Sequence, residues 1–226
     1  MTDLAKTALG SSLLVVSCDD VDGSGTAYRQ LLGGDLRVRN GSVELTRTAG
    51  SHRAFFAVDD HPAATTLLRR RGMDLDEVTA TRTASSVVPA VGVVAASEFS
   101  PGPDVGDIES IDHLVFNAAD RDAAVALFAG SLGLDFRLEQ AIHDGIHQLF
   151  FRSTQVVVEV VIGAQDQETT ASLWGIAWRS RDIGETHRRL SDEGMSLSEI
   201  RVGRKPGTSV FTIREPAFGL PTLVLG

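Results

Sequence analysis

Two spacings, each used twice, limit how this chain can fold more than any other feature. Asp20 and Gly33 stand as far apart as Asp120 and Gly133, and Asp60 and Gly72 as far apart as Asp182 and Gly194. "CDDVDGSGTAYRQLLGGDLRV" and "NAADRDAAVALFAGSLGLDFRL" share one order: apolar strand, aspartate, amphipathic helix, glycine, second strand. "FAVDDHPAATTLLRRRGM" and "WRSRDIGETHRRLSDEGM" repeat it. Such self-similarity predicts one supersecondary unit used four times, because each unit buries its apolar face against its neighbours.

Local chemistry supports the reading at both ends of every unit. The aspartates suit N-caps, Asp182 with Glu185 has the capping-box spacing, and Pro62 suits a first helical turn. The glycines fall where a left-handed C-terminal residue is wanted. Between the helices, "IDHLVF", "HQLFFRS", "QVVVEVVIG", "SVFTIRE" and "PTLVLG" have strand composition, and "SSLLVVSC" reads as a buried first strand rather than a lipoprotein signal. Asp144-Gly145 is a two-residue hairpin turn that sets His143 opposite Ile146 and His147 opposite Ile142. The two histidine rings then point to opposite faces and are not a ligand pair.

The halves are unequal. Asp120 to Asp182 spans 62 residues but Asp20 to Asp60 only 40, so the amino-terminal half lacks about one strand and its connection. "SEFSPGPDVGD", residues 97–107, reads as the linker. Two modules follow: an abbreviated one with linker over residues 1–104, and a complete one over residues 105–226.

Charge and cysteine content narrow the function classes. Thirty acidic against 21 basic residues give a net charge of −9, which points to a small-molecule ligand rather than nucleic acid or an anionic membrane. Cys18 is the only cysteine, which suits a reducing cytoplasm. No stretch approaches the ~20 apolar residues of a membrane span. A homodimer is compatible with all of this.

Paired strand-helix-three-strand units containing "IDHLV", "LGLDF", "VVVEVV" and "REPAFGLPTLVL" resemble the vicinal oxygen chelate superfamily of glyoxalase I, bleomycin-resistance proteins, methylmalonyl-CoA epimerase and extradiol dioxygenases. The likeness covers residues 110–226 in motif and residues 11–98 in repeat spacing. It implies an α+β protein of two modules, each of paired βαβββ units, whose curved mixed sheets cup a ligand. It also implies metal ligands on strands one, four, five and eight of a module. Carried across, these positions fall on His113, Glu159, Gly175 and Leu223. The first two suit one divalent metal such as zinc, iron, manganese or nickel, and the last two carry no donor, so a metal-free site is the other expectation. A dioxygenase-type triad keeps only His113, and glyoxalase-type isomerisation normally uses all four positions.

Strand alternation puts Ile111, His113 and Val115 on one face, and Glu159 with Val157 and Val161. A buried carboxylate among valines needs a partner. Three readings follow for His113 and Glu159: half of a metal site, a metal-free acid-base pair, or a structural ion pair. Phe116, Phe151, Trp178 and Phe211 are candidate substrate-binding aromatics lining the cup. His52 and Glu44 lie near comparable positions of the first module, although Arg53 aligns more simply with Gly175. His61 and His187 are expected on solvent-facing helix surfaces. Arg201, Arg204 and Lys205 form a basic loop suited to a phosphate or carboxylate. Two functions follow: a glyoxalase- or dioxygenase-like enzyme with an incomplete metal site, or a non-catalytic binder of the bleomycin-resistance type.

Overall fold

The computed structural model of the protein describes residues 7–47, 50, 52–88, 90–103, 106–143, 145–163 and 171–226. The expected hairpin residue Asp144 lies outside them, as does the His143 side chain.

Four units follow in chain order. The first holds β1 (Ser12–Ser17), α1 (Val21–Leu32), β2 (Arg37–Val38) and β3 (Gly41–Thr46). The second holds β4 (Arg53–Val58), α2 (His61–Arg70), β5 (Leu75–Thr79), β6 (Arg82–Ser85) and β7 (Val91–Ala95). In the third, β8 (Ile108–Ala118) leads to α3 (Arg121–Val125), a π-helical continuation over Ala126–Ser131, then β9 (Asp135–His143), β10 (Ile146–Arg152) and β11 (Val157–Ile162). The fourth holds β12 (Ser172–Ser180), α4 (Ile183–Asp192), β13 (Arg201–Val202), β14 (Ser209–Ile213) and β15 (Thr222–Leu225). Among the described residues the first unit is thus one strand short of the others, as the shorter Asp20–Asp60 interval requires.

The expected caps form in all four units. Asp20, Asp60, Asp120 and Asp182 accept hydrogen bonds from the backbone N–H of Gly23, Ala63, Ala123 and Glu185 at 3.0, 2.9, 2.7 and 2.9 Å. Gly33, Gly72, Gly133 and Gly194 close the helices at φ +78°, +86°, +73° and +87°, where a side chain would be strained. The carboxylate of Glu185 turns to Arg188 instead of closing a capping box.

The strands assemble into a seven-stranded sheet ordered β2-β3-β1-β4-β7-β6-β5 and an eight-stranded sheet ordered β13-β14-β15-β12-β8-β11-β10-β9. Both are mixed, with β1·β3, β4·β7, β8·β11 and β12·β15 parallel. The fold is that expected: α+β, two curved-sheet modules, the first abbreviated.

One apolar core joins the helices to the inner faces of both sheets, gathering Tyr28, Leu31, Phe56, Leu68, Phe116, Phe128, Trp178 and Phe211. The outer faces carry smaller clusters, Leu13, Phe55, Ala57, Ala84 and Val94 on the first sheet and Ala177, Val210 and Leu225 on the second. Polar contacts tie the modules. Tyr28 Oη donates to the Phe218 carbonyl at 3.0 Å. Asn40 bonds the Ile111 backbone twice, at 2.9 and 2.8 Å. The guanidinium of Arg189 donates to the Gln30 and Leu31 carbonyls at the end of α1 and pairs with Asp107 at 2.8 Å. The linker is strapped down: Gly102 N–H bonds the Val38 carbonyl at 3.0 Å, and a Cβ there would lie 2.3 Å from the Arg37 oxygen.

Candidate functional site

Cross-strand register decides which side chains share the outer face of the second sheet. His113 stands opposite Ala177, Val115 opposite Glu159 and Gly175, and Ala177 opposite Leu223. Ala177 and Leu223 belong to the outer apolar cluster, so His113 and Glu159 project from that face too. The two meet there: His113 Nε2 lies 3.4 Å from Glu159 Oε2, with side chains 15% and 11% exposed. The pair is recessed but not sealed.

Each member has its own support. His113 Nδ1 hydrogen-bonds Asp112 Oδ2 at 2.8 Å, and Asp112 is held on its other side by Arg179, whose Nε donates to Oδ1 at 3.0 Å. Gln148 donates to Glu159 Oε1, and Gln140 Nε2 in turn donates to Gln148 Oε1 at 2.9 Å, which orients the Gln148 amide. Burial alone would raise the Asp112 carboxyl, but hydrogen bonds from His113 and Arg179 outweigh it and hold it at about 2. For Glu159 the balance is reversed. Burial drives its carboxyl above the ordinary range, and neighbouring His113 and Arg204 with the Gln148 bond offset that only in part.

Simple alternation along "IDHLVF" fails at one residue. Between His113 and Ile111, β8 advances two residues while β12 advances one, from Ala177 to Trp178. This β-bulge turns Ile111 into the core, where it is 2% exposed, and brings Asp112 beside His113. Ile111 therefore does not share the His113 face, and Asp112 joins the site unannounced by the pattern.

The four expected substrate-binding aromatics are not with the pair. Phe116, Phe151, Trp178 and Phe211 are fully buried in the core on the helix side. Phe128 explains two of them: its ring lies 5.1 Å from Phe116 and 5.4 Å from Phe151, so the inner face claims both. Phe211 packs edge-on against His187 at 5.0 Å. The aromatic that does share the outer face is Phe150, directly opposite Glu159. Adjacent phenylalanines must take opposite faces, and only the register with β11 reveals which is which.

Other expectations need correction. His61 is 8% exposed, not solvent-facing, with Nε2 3.4 Å from Thr83 Oγ1. His187 is half-buried and reaches the Ser198 carbonyl at 3.0 Å. His147 pairs with Ala141, not Ile142, because the hairpin slips register next to Ile146. His52 accepts from the Ser17 N–H at 3.2 Å, and burial lowers its pKa against the opposing effect of a backbone bond at Gly219. It braces β1 and stands apart from the pair.

The first module shows what the same positions become without such a pair. Val15 stands opposite Glu44 and Arg53 as Val115 stands opposite Glu159 and Gly175, and Leu13 stands opposite Phe55 as His113 stands opposite Ala177. The four positions are thus Leu13, Glu44, Arg53 and, opposite Phe55, Gly92. Glu44 pairs with Arg82 at 2.8 Å, a guanidinium it shares with Glu98, and Phe55 fills the space over Gly92, whose Cβ would lie 2.8 Å from the ring.

Metal binding follows from the donor set. Among the described residues no three His, Cys, Asp or Glu side chains gather as ligands. Leu223 is packed in apolar company, and a Cβ on Gly175 would already meet the Pro221 oxygen at 3.1 Å. His113 and Glu159 alone do not make the four-donor site the resemblance implies, so the residues do not fit a chelated ion. Two surface clefts lie away from the pair, one along α2 at Pro62, Thr66 and Arg70, the other at Gly33, Gly106 and Arg189.

Residues 112–212, which carry this site, match the family described as Glyoxalase/Bleomycin resistance protein/Dioxygenase superfamily. The carboxy-terminal module belongs to this superfamily. Across the whole chain the fold is similar to a mutant 4-hydroxymandelate synthase from Streptomyces coelicolor, with a TM-score of 0.72 at 10% identity over 97% of this chain and 92% of that one. A xylose isomerase-like TIM barrel/4-hydroxyphenylpyruvate dioxygenase fusion protein gives 0.68 at 13% identity, over 98% of this chain and 49% of that one. Methylmalonyl-CoA epimerase from Mycobacterium tuberculosis gives 0.46 at 19% identity, over 55% of this chain and 91% of that one. At these identities the likeness to solved structures is one of fold. No curated protein matches the chain.

Proposed function

We propose that this vicinal oxygen chelate protein is an enzyme of small-molecule metabolism in which His113 and Glu159 move a proton on a bound carbonyl compound. The observation that carries the reading is the 3.4 Å approach of imidazole and carboxylate on a recessed outer face. General acid-base work needs two groups in contact whose environments hold their proton affinities near the working pH. Burial moves Glu159 in that direction. The repeat gives a comparison: at the same position of the first module, Glu44 is met by an arginine instead of an imidazole.

The test is carbon-bound hydrogen exchange. Small 2-oxo and hydroxycarbonyl compounds are incubated with the protein in deuterated water and followed by NMR. Wild type is expected to catalyse exchange at the carbon beside the carbonyl, and Glu159→Gln to lose it by about 10²-fold or more. Equal exchange by wild type, Glu159→Gln and His113→Ala would sink the proposal.

A second reading is favoured by the apolar residues around the pair, Ala177, Val210, Leu223 and Leu225. On that reading the module sequesters an apolar small molecule. Stoichiometric binding without turnover, retained in Glu159→Gln, would select it. The division at residues 104 and 105 is supported by sheets that end at Ala95 and begin at Ile108. A cytoplasmic setting is supported by the lone cysteine, and among the described residues no helix is long and apolar enough to cross a membrane.

A further inference from the structure

Strand β8 departs from its repeat counterpart β1 just before His113. β1 runs against β4 in unbroken register from Ser12 to Val15, whereas β8 gains a residue against β12 between Ile111 and His113. The residue before Leu13 is Ser12, fully buried in the sheet. The residue before His113 is Asp112, re-aimed by the bulge so that its carboxylate meets the neighbouring imidazole.

The chemistry of that contact is one-directional. Arg179 donates to Asp112 through both Nε and Nη2, which keeps the carboxylate ionised and able only to accept. The hydrogen in the 2.8 Å contact therefore belongs to His113 Nδ1. The hydrogen bond at one imidazole nitrogen decides the state of the other. A neutral His113 so held presents a bare Nε2, and that atom is the one 3.4 Å from Glu159. The charged groups facing the imidazole are Asp112 on its own strand, Arg179 on β12 and Glu159 on β11, with Arg204 acting on Glu159 from the loop after β13.

We propose that Asp112, locked by Arg179, is a positioning residue: it keeps the His113 proton on Nδ1, so that Nε2 is the proton-accepting atom turned toward Glu159 and the ligand. This rests on the acid-base reading of the pair and specifies which nitrogen works.

The experiment reads the tautomer directly. Full-length protein labelled with ¹⁵N-histidine is examined at neutral pH by long-range proton-nitrogen correlation, with His113 assigned by its loss in His113→Gln. Wild type is expected to show a protonated Nδ1, and Asp112→Ala to swap the proton to Nε2. If Asp112→Ala does not fold, Asp112→Asn serves, because its amide accepts or donates and both tautomers should appear. An Nε2–H neutral ring or a doubly protonated ring in wild type, or an unchanged wild-type pattern in the variant that folds, overturns the proposal. The tautomer is visible with or without turnover. A swap in Asp112→Ala beside unimpaired exchange in Glu159→Gln would therefore discard the acid-base reading and leave the positioning role standing.

Discussion

Glu44 and Glu159 occupy one repeat position, each opposite a valine in a parallel strand pair, yet Glu44 is half-exposed beside Arg82 while Glu159 is buried beside an imidazole and an amide. The first carboxylate shares the Arg82 guanidinium with Glu98. The second is held at a cost, and that cost has a measurable pH dependence.

Burial raises the Glu159 pKa in the folded protein above its ordinary value of 4.5. The folded state then binds this proton more tightly than the unfolded chain, so the contribution to stability is fully present below pH 4.5 and is lost as pH rises through the folded value. Glu159→Gln cannot ionise. It should melt higher than wild type at pH 7, with the gap closing toward pH 4. A lower melting temperature for the variant at pH 7 would contradict the burial argument. Glu44→Gln should change stability by less than about 1 kcal/mol, since that pair is partly solvated.

Asp112 has the opposite sign. Its folded pKa of about 2 lies below the ordinary 3.8, so its contribution is present above pH 3.8 and lost as pH falls from there toward 2. Asp112→Asn should cost on the order of 2 kcal/mol at neutral pH and flatten the acid limb of a denaturant-stability profile. Parallel acid limbs for variant and wild type would show that the Arg179 and His113 bonds are not made in solution.

The helix caps supply a local test. Asp60→Ala and Asp182→Ala each remove a side-chain acceptor for a free N–H at a helix start, and should each cost about 1 kcal/mol by urea denaturation.

Between the modules, Tyr28→Phe removes one buried hydroxyl bond to the Phe218 carbonyl and leaves the edge-to-face ring contact at 4.8 Å. The expected loss is about 1 kcal/mol with a single melting transition. Separation into two transitions would mean that this bond couples the modules more than its strength implies.

Donor chemistry predicts the metal behaviour. Dialysis against a chelator should leave the melting temperature and exchange activity unchanged, because Gly175 and Leu223 offer no ligand. Leu223→Glu combined with Gly175→His should create zinc or nickel binding by calorimetry, if the Pro221 carbonyl yields by a few tenths of an ångström. A wild type that loses activity with the chelator would refute the assignment of the donor set.

What the sequence determined is what is local. An aspartate three residues from the N–H it caps, and a glycine at the end of the following helix, act within one turn of chain, so spacing alone marked four helices and the short first unit. Those contacts do not depend on the rest of the fold. The pairing of His113 with Glu159 was legible through the family resemblance, which assigns both to ligand positions of one module. The rest was decided in three dimensions. Alternation has a period of two, so a single inserted residue reverses every later assignment, and the bulge before His113 exchanged Ile111 for Asp112. Phe150 and Phe151 are chemically alike, and only the packing of Phe151 against Phe128 sends one inward and leaves the other beside Glu159. Arg179 and Gln148 entered the site through partners 67 and 11 residues away, a proximity that exists only once the sheet has closed.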